Sequence, residues 1–159
     1  MDDIHFMRLA LREARRAARI GEVPVGAIVV AAGPEEKIIG RGHNLTILRH
    51  DPTAHAEVVA LRRAARRARN YRLTGATLFV TLEPCLLCLG AIVQARIGRI
   101  VYAAADPKRG AMAAARTRRV AALLHHRYRT TGGILEHEGA EILHDFFRAR
   151  RLAPGASRW

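Results

Sequence analysis

The stretch Thr77-Leu78-Phe79-Val80-Thr81-Leu82-Glu83-Pro84-Cys85-Leu86-Leu87-Cys88 constrains the fold of this chain more than any other. The apolar run up to Leu82 reads as a buried strand, and Pro84 followed by a second apolar run reads as the start of a helix. Two cysteines at that start place both sulfurs one turn apart on one face. There the unpaired N–H groups and the dipole favour thiolate over thiol, and two thiolates suit zinc. A strand, Cys-x-x-Cys and a helix are also the thioredoxin redox layout, and two buried cysteines can be core filling. A closed structural zinc site takes four protein ligands, and the chain has no other cysteine. A metal here needs ligands from elsewhere, and a vacant position would make it catalytic.

Strands and helices alternate around this unit. Met7, Ala10, Leu11, Ala14 and Ala18 recur at helical spacing with arginines opposite, and Gly21 stops that helix. Residues 25–30, the Gly33-Pro34 turn and a second strand from Ile38 to near Asn44 predict a hairpin. Residues 45–53 read as a loop. Asp51-Pro52-Thr53 reads as the cap and first turn of a helix reaching residue 69, with Val58, Leu61, Ala65 and Ala68 inward and Arg62, Arg63, Arg66 and Arg67 outward. The Pro84 helix extends to residue 95, followed by a strand at 99–102 and a turn at 106–110. A helix over 113–124, a short extended piece at 130–135 and a helix over 138–151 complete the pattern. This predicts one three-layer α/β domain over residues 1–152, with a frayed tail at 153–159.

Length and composition agree. At 159 residues the chain suits one domain, and an apolar half excludes intrinsic disorder. Two cysteines exclude a disulfide scaffold. The best apolar stretch, residues 78–95, is broken by Glu83-Pro84 and Gln94, so no membrane span is expected and a reducing cytoplasm is the default. The arginine-rich first helix superficially resembles a transit peptide, but Asp2 and Asp3 are acidic and serine is absent there. Lys plus Arg total 27 against 14 Asp plus Glu, a net charge of +13. Small domains usually carry a magnitude of about 2–8, so a polyanionic partner is expected. All but Lys37 and Lys108 of these cations are arginine.

His55-Ala56-Glu57 offers what the cysteines lack. Residues i and i+2 do not face each other in a regular helix, so both side chains can address one site only if His55 lies in an irregular first turn. H-x-E followed by P-C-x-x-C is a signature of zinc nucleobase deaminases. With its flanking words the sequence closely resembles the bacterial tRNA-specific adenosine deaminases of the cytidine-deaminase-like superfamily. Those words are Glu22-Val23-Pro24-Val25-Gly26-Ala27, His50-Asp51-Pro52-Thr53-Ala54-His55-Ala56-Glu57, Asn70-Tyr71-Arg72-Leu73, Thr81-Leu82-Glu83-Pro84-Cys85, Ala95-Arg96-Ile97-Gly98-Arg99 and Asp145-Phe146-Phe147-Arg148.

The resemblance implies a three-layer α/β/α fold on a mixed sheet of about five strands, with one zinc per chain on His55, Cys85 and Cys88. That ligand set leaves a fourth position for water. Glu57 would take the water's proton, pass it to the ring nitrogen and later protonate departing ammonia. Adenosine would become inosine at the wobble position of a tRNA anticodon, an arginine tRNA being the expected substrate, on a homodimer that contacts RNA from both subunits. Asn44 matches a residue that reads the base, Asp106 one beside the nucleotide backbone, and Val23 and Val25 pocket walls. Phe146, Phe147 and Arg148 match a helix that touches the anticodon loop, and the Ala56 and Cys85 N–H groups are expected donors into the pocket. Arg116, Arg118, Arg119, Arg148, Arg150 and Arg151 are the expected phosphate contacts. Two stretches depart from the pattern: His125-His126-Arg127, where Asn-His-Arg is common, and residues 111–119, which put substrate range in question. The alternatives are a zinc deaminase of a free base or nucleoside, a non-catalytic zinc or RNA-binding protein, and a thioredoxin-like oxidoreductase. The net charge disfavours the first, Glu57 the second, and His55 with Glu57 the third.

Overall fold

The computed structural model describes residues 1–152; the tail 153–159, expected to fray, lies outside the described residues. Helix α1 (Asp3–Arg19) is capped by Asp2, whose carboxylate accepts from His5 N–H at 3.1 Å. It ends at Gly21 as the pattern predicts. A left-handed φ of 79° there lets Glu22 N–H reach back to Ala17 O at 3.0 Å. Strands β1 (Gly26–Val30) and β2 (Ile38–His43) form the expected antiparallel pair.

The segment 45–53 is more than a loop. Thr46–Arg49 makes a single helical turn, α2. Asp51 Oδ1 accepts from both the N–H and the hydroxyl of Thr53, at 2.8 and 2.7 Å, so Asp51 closes a turn ahead of the next helix instead of capping it. Helix α3 (Ala56–Ala68) therefore begins later than predicted, with His55 in extended conformation at its boundary. Its buried face also differs from the expected one: Ala60 and Ala64 are buried, whereas Ala65 is half-buried and Ala68 exposed. The cause lies in β2. A Cβ on Gly40 would fall 2.3 Å from Ala60 O, and one on Gly42 2.4 Å from Ala56 O. Glycine on the strand and alanine on the helix let α3 rest directly on the β2 backbone.

Strand β3 (Thr77–Leu82) leads into α4 (Leu86–Gln94), and β4 (Arg99–Ala104) follows. The helix expected over 113–124 is two: α5 (Met112–Ala115) and α6 (Arg118–Leu124), broken where Thr117 is extended. The extended piece is the shorter β5 (Arg129–Thr131), and α7 (Glu136–Leu152) closes the described chain.

The five strands form one mixed sheet in the order β2-β1-β3-β4-β5. β1 is antiparallel to β2 and β3, while β3, β4 and β5 run parallel. Alternate strand residues serve opposite layers. Ile28, Val30, Phe79, Val101 and Ala103 pack against Phe6, Met7, Ala10 and Leu11 of α1, with Ile142 of α7 at the margin. Ala27, Val29, Leu78, Val80 and Ile100 pack against Ala60 and Ala64 of α3 and Leu89 and Ile92 of α4. The register decides where a site can be built. Gly26 lies opposite His43, Ala27 opposite Val80, and Leu82 beside Ala104. The chain entering β1 and the chains leaving β2, β3 and β4 thus meet at one edge of the sheet, where α/β folds bind ligands.

Candidate metal and catalytic site

Two helix starts converge at that edge. His55 precedes the first turn of α3 and Cys85 the first turn of α4, both in extended backbone conformation. His55 Nδ1 lies 3.7 Å from Cys85 Sγ and 3.4 Å from Cys88 Sγ. Metal bonds of about 2.0 Å to nitrogen and 2.3 Å to sulfur, at tetrahedral angles, set nitrogen and sulfur about 3.5 Å apart. The three ligand atoms lie within 4.8 Å of one another, close enough to hold one metal ion. The extended His55 resolves the spacing problem of His-x-Glu. The helix begins at Ala56, so His55 and Glu57 are not held on opposite helical faces, and both line one cleft.

Protonation in the cluster follows from burial and mutual bonding. The Cys85 thiol is drawn far below its ordinary value because Cys88 and His55 both bond to its thiolate. The same partnership with Cys85, reinforced by burial, holds Cys88 up as a thiol. His55 is raised, first by its bond to Cys85. Glu57 is only 4 % exposed, and burial raises its carboxyl to about 7.

The cleft has a volume of about 190 Å³ and is walled by Val23, Val25, Asn44, Thr46, Leu82, Glu83, Asp106 and Arg109 around His55, Glu57 and Cys85. Val23, Val25, Asn44 and Asp106, singled out in the sequence, all line this one cleft. Cys88 is buried, whereas Cys85 is half-buried. One contact differs from expectation. Ala56 N–H, expected to point into the pocket, donates instead to Asn44 Oδ1 at 2.9 Å. That bond fixes the Asn44 amide and leaves its NH2 as a polar donor of the wall. The Asp106 carboxylate is also engaged: its Oδ1 accepts from the N–H groups of Lys108 and Arg109, each at 3.0 Å.

Thr46, Leu82, Glu83 and Arg109 escaped the sequence reading. Glu83 accepts from Asp106 N–H at 3.1 Å and Met112 N–H at 2.9 Å, and so ties the turn carrying Asp106 and Arg109 to the end of β3. Its signal was a carboxylate between a buried strand and Pro84. Arg109 gave none beyond its place in a turn. Phe146, Phe147 and Arg148 lie on α7 and do not line the cleft. Phe146 is half-buried under Arg150, whose guanidinium carbon stands 4.9 Å from the ring centroid, while Phe147 is exposed. Arg148 pairs with Asp145 at 3.0 Å.

The sequence profile of the MafB19-like deaminase family matches residues 1–151. A tRNA-specific adenosine deaminase of Haemophilus influenzae is 45 % identical over 149 residues, covering 94 % of this chain and 85 % of that one. Its counterpart in Agrobacterium fabrum is 46 % identical over 148 residues, covering 93 % and 95 %. A structure solved in a study of A-to-I editing by tRNA:A34 deaminases superposes with a TM-score of 0.78 at 44 % identity, over 87 % of this chain and 99 % of that one. Likeness of this degree spans both halves of the cleft, from the β1–β2 hairpin to the turn after β4, and the chain belongs to the tRNA-specific adenosine deaminase family.

Proposed function

We propose that this protein hydrolytically deaminates adenosine to inosine at the wobble position of a tRNA anticodon, with one zinc ion held by His55, Cys85 and Cys88. The observation that carries this reading is a cluster able to hold a metal and a buried carboxylate, Glu57, facing the same small cleft. Zinc, when bound, supplies the Lewis acidity that brings water close to hydroxide near neutral pH. Glu57 accepts the proton of that water and delivers it to the ring nitrogen beside the amino-bearing carbon. The water oxygen bonds to that carbon, the carbon–nitrogen bond to the amino group breaks, and Glu57 relays the proton with which ammonia departs. Val23, Val25 and Leu82 supply apolar walls for the purine. Asn44, anchored through Ala56 N–H, offers its NH2 to an acceptor on the base.

The substrate is a base turned out of a loop, because a duplex base cannot reach so small a cleft. A tRNA also accounts for the excess of cations, which a free base does not. Phe147 and Arg148, exposed on α7, are assigned to the anticodon loop, with Phe146 beneath them, and an arginine tRNA is the expected partner. Leu86 and Leu87 stand 65 % and 44 % exposed on the turn that holds the cysteines. Covering them is the role of a second copy of the chain, which makes the active form a homodimer working in the cytoplasm. The deciding experiment offers a tRNA with adenosine at the wobble position, then free adenine, guanine and cytosine. Inosine formed only in the tRNA supports the proposal; turnover of a free base and not of tRNA overturns it. Glu57→Ala should keep its zinc and lose turnover.

A further inference from the structure

Glu22 is a carboxylate with no exposed surface. Among the described residues it makes no ion pair. Burying such a group is costly unless hydrogen bonds repay it, and both of its bonds go to one place. Oε1 accepts from Leu48 N–H at 2.8 Å and Oε2 from the Thr46 hydroxyl at 3.2 Å. These are the first and third residues of α2, which has no side-chain cap of its own because Leu45 stands at its boundary. Leu45 cannot be exchanged for a capping residue without loss, since it packs with Ala54 and Val59 in a small buried cluster. Glu22 supplies from a distant part of the chain the acceptor that Ser or Asp would supply locally.

What Glu22 joins gives the arrangement its meaning. Val23, the next residue, lines the cleft on one side, and Thr46 lines it on another. Gly21, the preceding residue, accepts from Arg150 of α7 through its carbonyl at 3.2 Å. One short segment thus fastens the cleft wall, α2 and α7 together. Beyond Thr46, α2 presents Ile47 and Leu48 to solvent, the latter 64 % exposed. We propose that Glu22 is a positioning residue for the RNA substrate: it holds α2 so that Thr46 completes the cleft wall and Ile47 and Leu48 form an apolar ledge for a base flanking the target. A base unstacked from its neighbour regains apolar contact there. The ledge rests on the tRNA reading above; the capping of α2 does not.

Glu22→Ala is expected to raise KM for an anticodon stem-loop by about tenfold while kcat stays within about twofold and zinc content is unchanged. Hydrogen exchange at the Leu48 amide should accelerate in the same variant. Glu22→Gln, whose amide oxygen still accepts from Leu48 N–H, should recover most of the KM. Should Glu22→Ala fail to fold, Thr46→Val removes one bond without emptying the buried position, and about a threefold rise in KM is expected. A folded Glu22→Ala, or failing that Thr46→Val, with wild-type KM overturns the proposal. So does a loss that falls on kcat together with zinc, which marks Glu22 as a fold element only. If the wild-type protein forms no inosine in the stem-loop, the tRNA reading fails and takes the ledge with it, while Leu48 exchange still reports whether Glu22 caps α2.

Discussion

Gly42→Ala tests whether the fold positions the site through direct helix-on-strand contact. The new Cβ would lie 2.4 Å from Ala56 O and 2.5 Å from Ala60 N, both backbone atoms of α3. No side chain can swing aside to relieve this. Restoring an ordinary contact of 3.4 Å or more requires α3 to lift from β2 by about 1 Å at its first turn. Overpacking of this kind costs about 1–3 kcal/mol, partly offset by about 0.5–1 kcal/mol from replacing a glycine within a strand. The functional loss should be the larger one, because that turn carries Glu57 and follows directly on His55. A displacement of about 1 Å can reduce catalysis by roughly a hundredfold. Urea denaturation gives the stability change, and inosine formation in a wobble-adenosine stem-loop gives kcat/KM. Because the clash is with backbone, adding Ala60→Gly should not rescue the variant. Wild-type kcat/KM in Gly42→Ala, or rescue by Ala60→Gly, would refute the reasoning.

Other expectations follow from single contacts. Cys88→Ala should abolish zinc binding, measured by metal analysis, since two remaining ligands cannot hold the ion. Thr81→Val leaves the buried Gly26 N–H without its acceptor at 3.1 Å and should cost about 1–3 kcal/mol in a denaturation series. For Glu13, burial opposes ionisation, but the His43 hydrogen bond and Arg16 outweigh it and leave the carboxyl below its ordinary 4.5. A depressed value means a stabilising contribution that is full above the unfolded value and lost as pH falls through the folded one. Glu13→Gln should therefore be less stable than wild type at neutral pH, with the gap closing under acid; a gap constant with pH refutes the assignment.

The parts of the fold legible in the sequence are those where local pattern and tertiary demand coincide. Apolar runs became strands, Gly21 closed α1, and the cysteine turn followed a buried strand. The errors share one cause, which is partners distant in sequence. Val58 and Leu61 of the α3 stripe are buried as the spacing predicts, but which alanines join them is decided by Gly40 and Gly42, which seat Ala56, Ala60 and Ala64 instead of Ala65 and Ala68. α2 was missed because its cap comes from Glu22, and Asp51-Pro52-Thr53 imitates a helix start while closing a turn. The site divides in the same way. His55, Glu57, Cys85 and Cys88 declare themselves because few other jobs need those residue types at that spacing. Glu83 and Arg109 serve through where the chain carries them, which only the strand register reveals.

Net charge is the feature for which the structure changes the argument most. Arg150, expected among the phosphate contacts, already has partners, since it bonds Gly21 O and covers Phe146. The exposed pair of Arg148 with Asp145 is weak and leaves Arg148 available to the anticodon loop. Arg116, Arg118 and Arg119 are exposed and make no ion pair among the described residues. They sit at the start of α6 and just before it, a helix that buries none of its residues, so its surface is free for a ligand. Each phosphate contact releases counterions and steepens the fall of affinity with salt by about 0.7–0.9 in the logarithmic slope. Changing all three to Gln should reduce that slope for the anticodon stem-loop by about 2 and leave the pH dependence of turnover unaltered. The matching change at Arg63, Arg66 and Arg67, on the outer face of α3, should leave the slope alone. If both triples shift it equally, the arginines act only as a diffuse field; if neither does, the positive charge of this chain has no part in holding RNA.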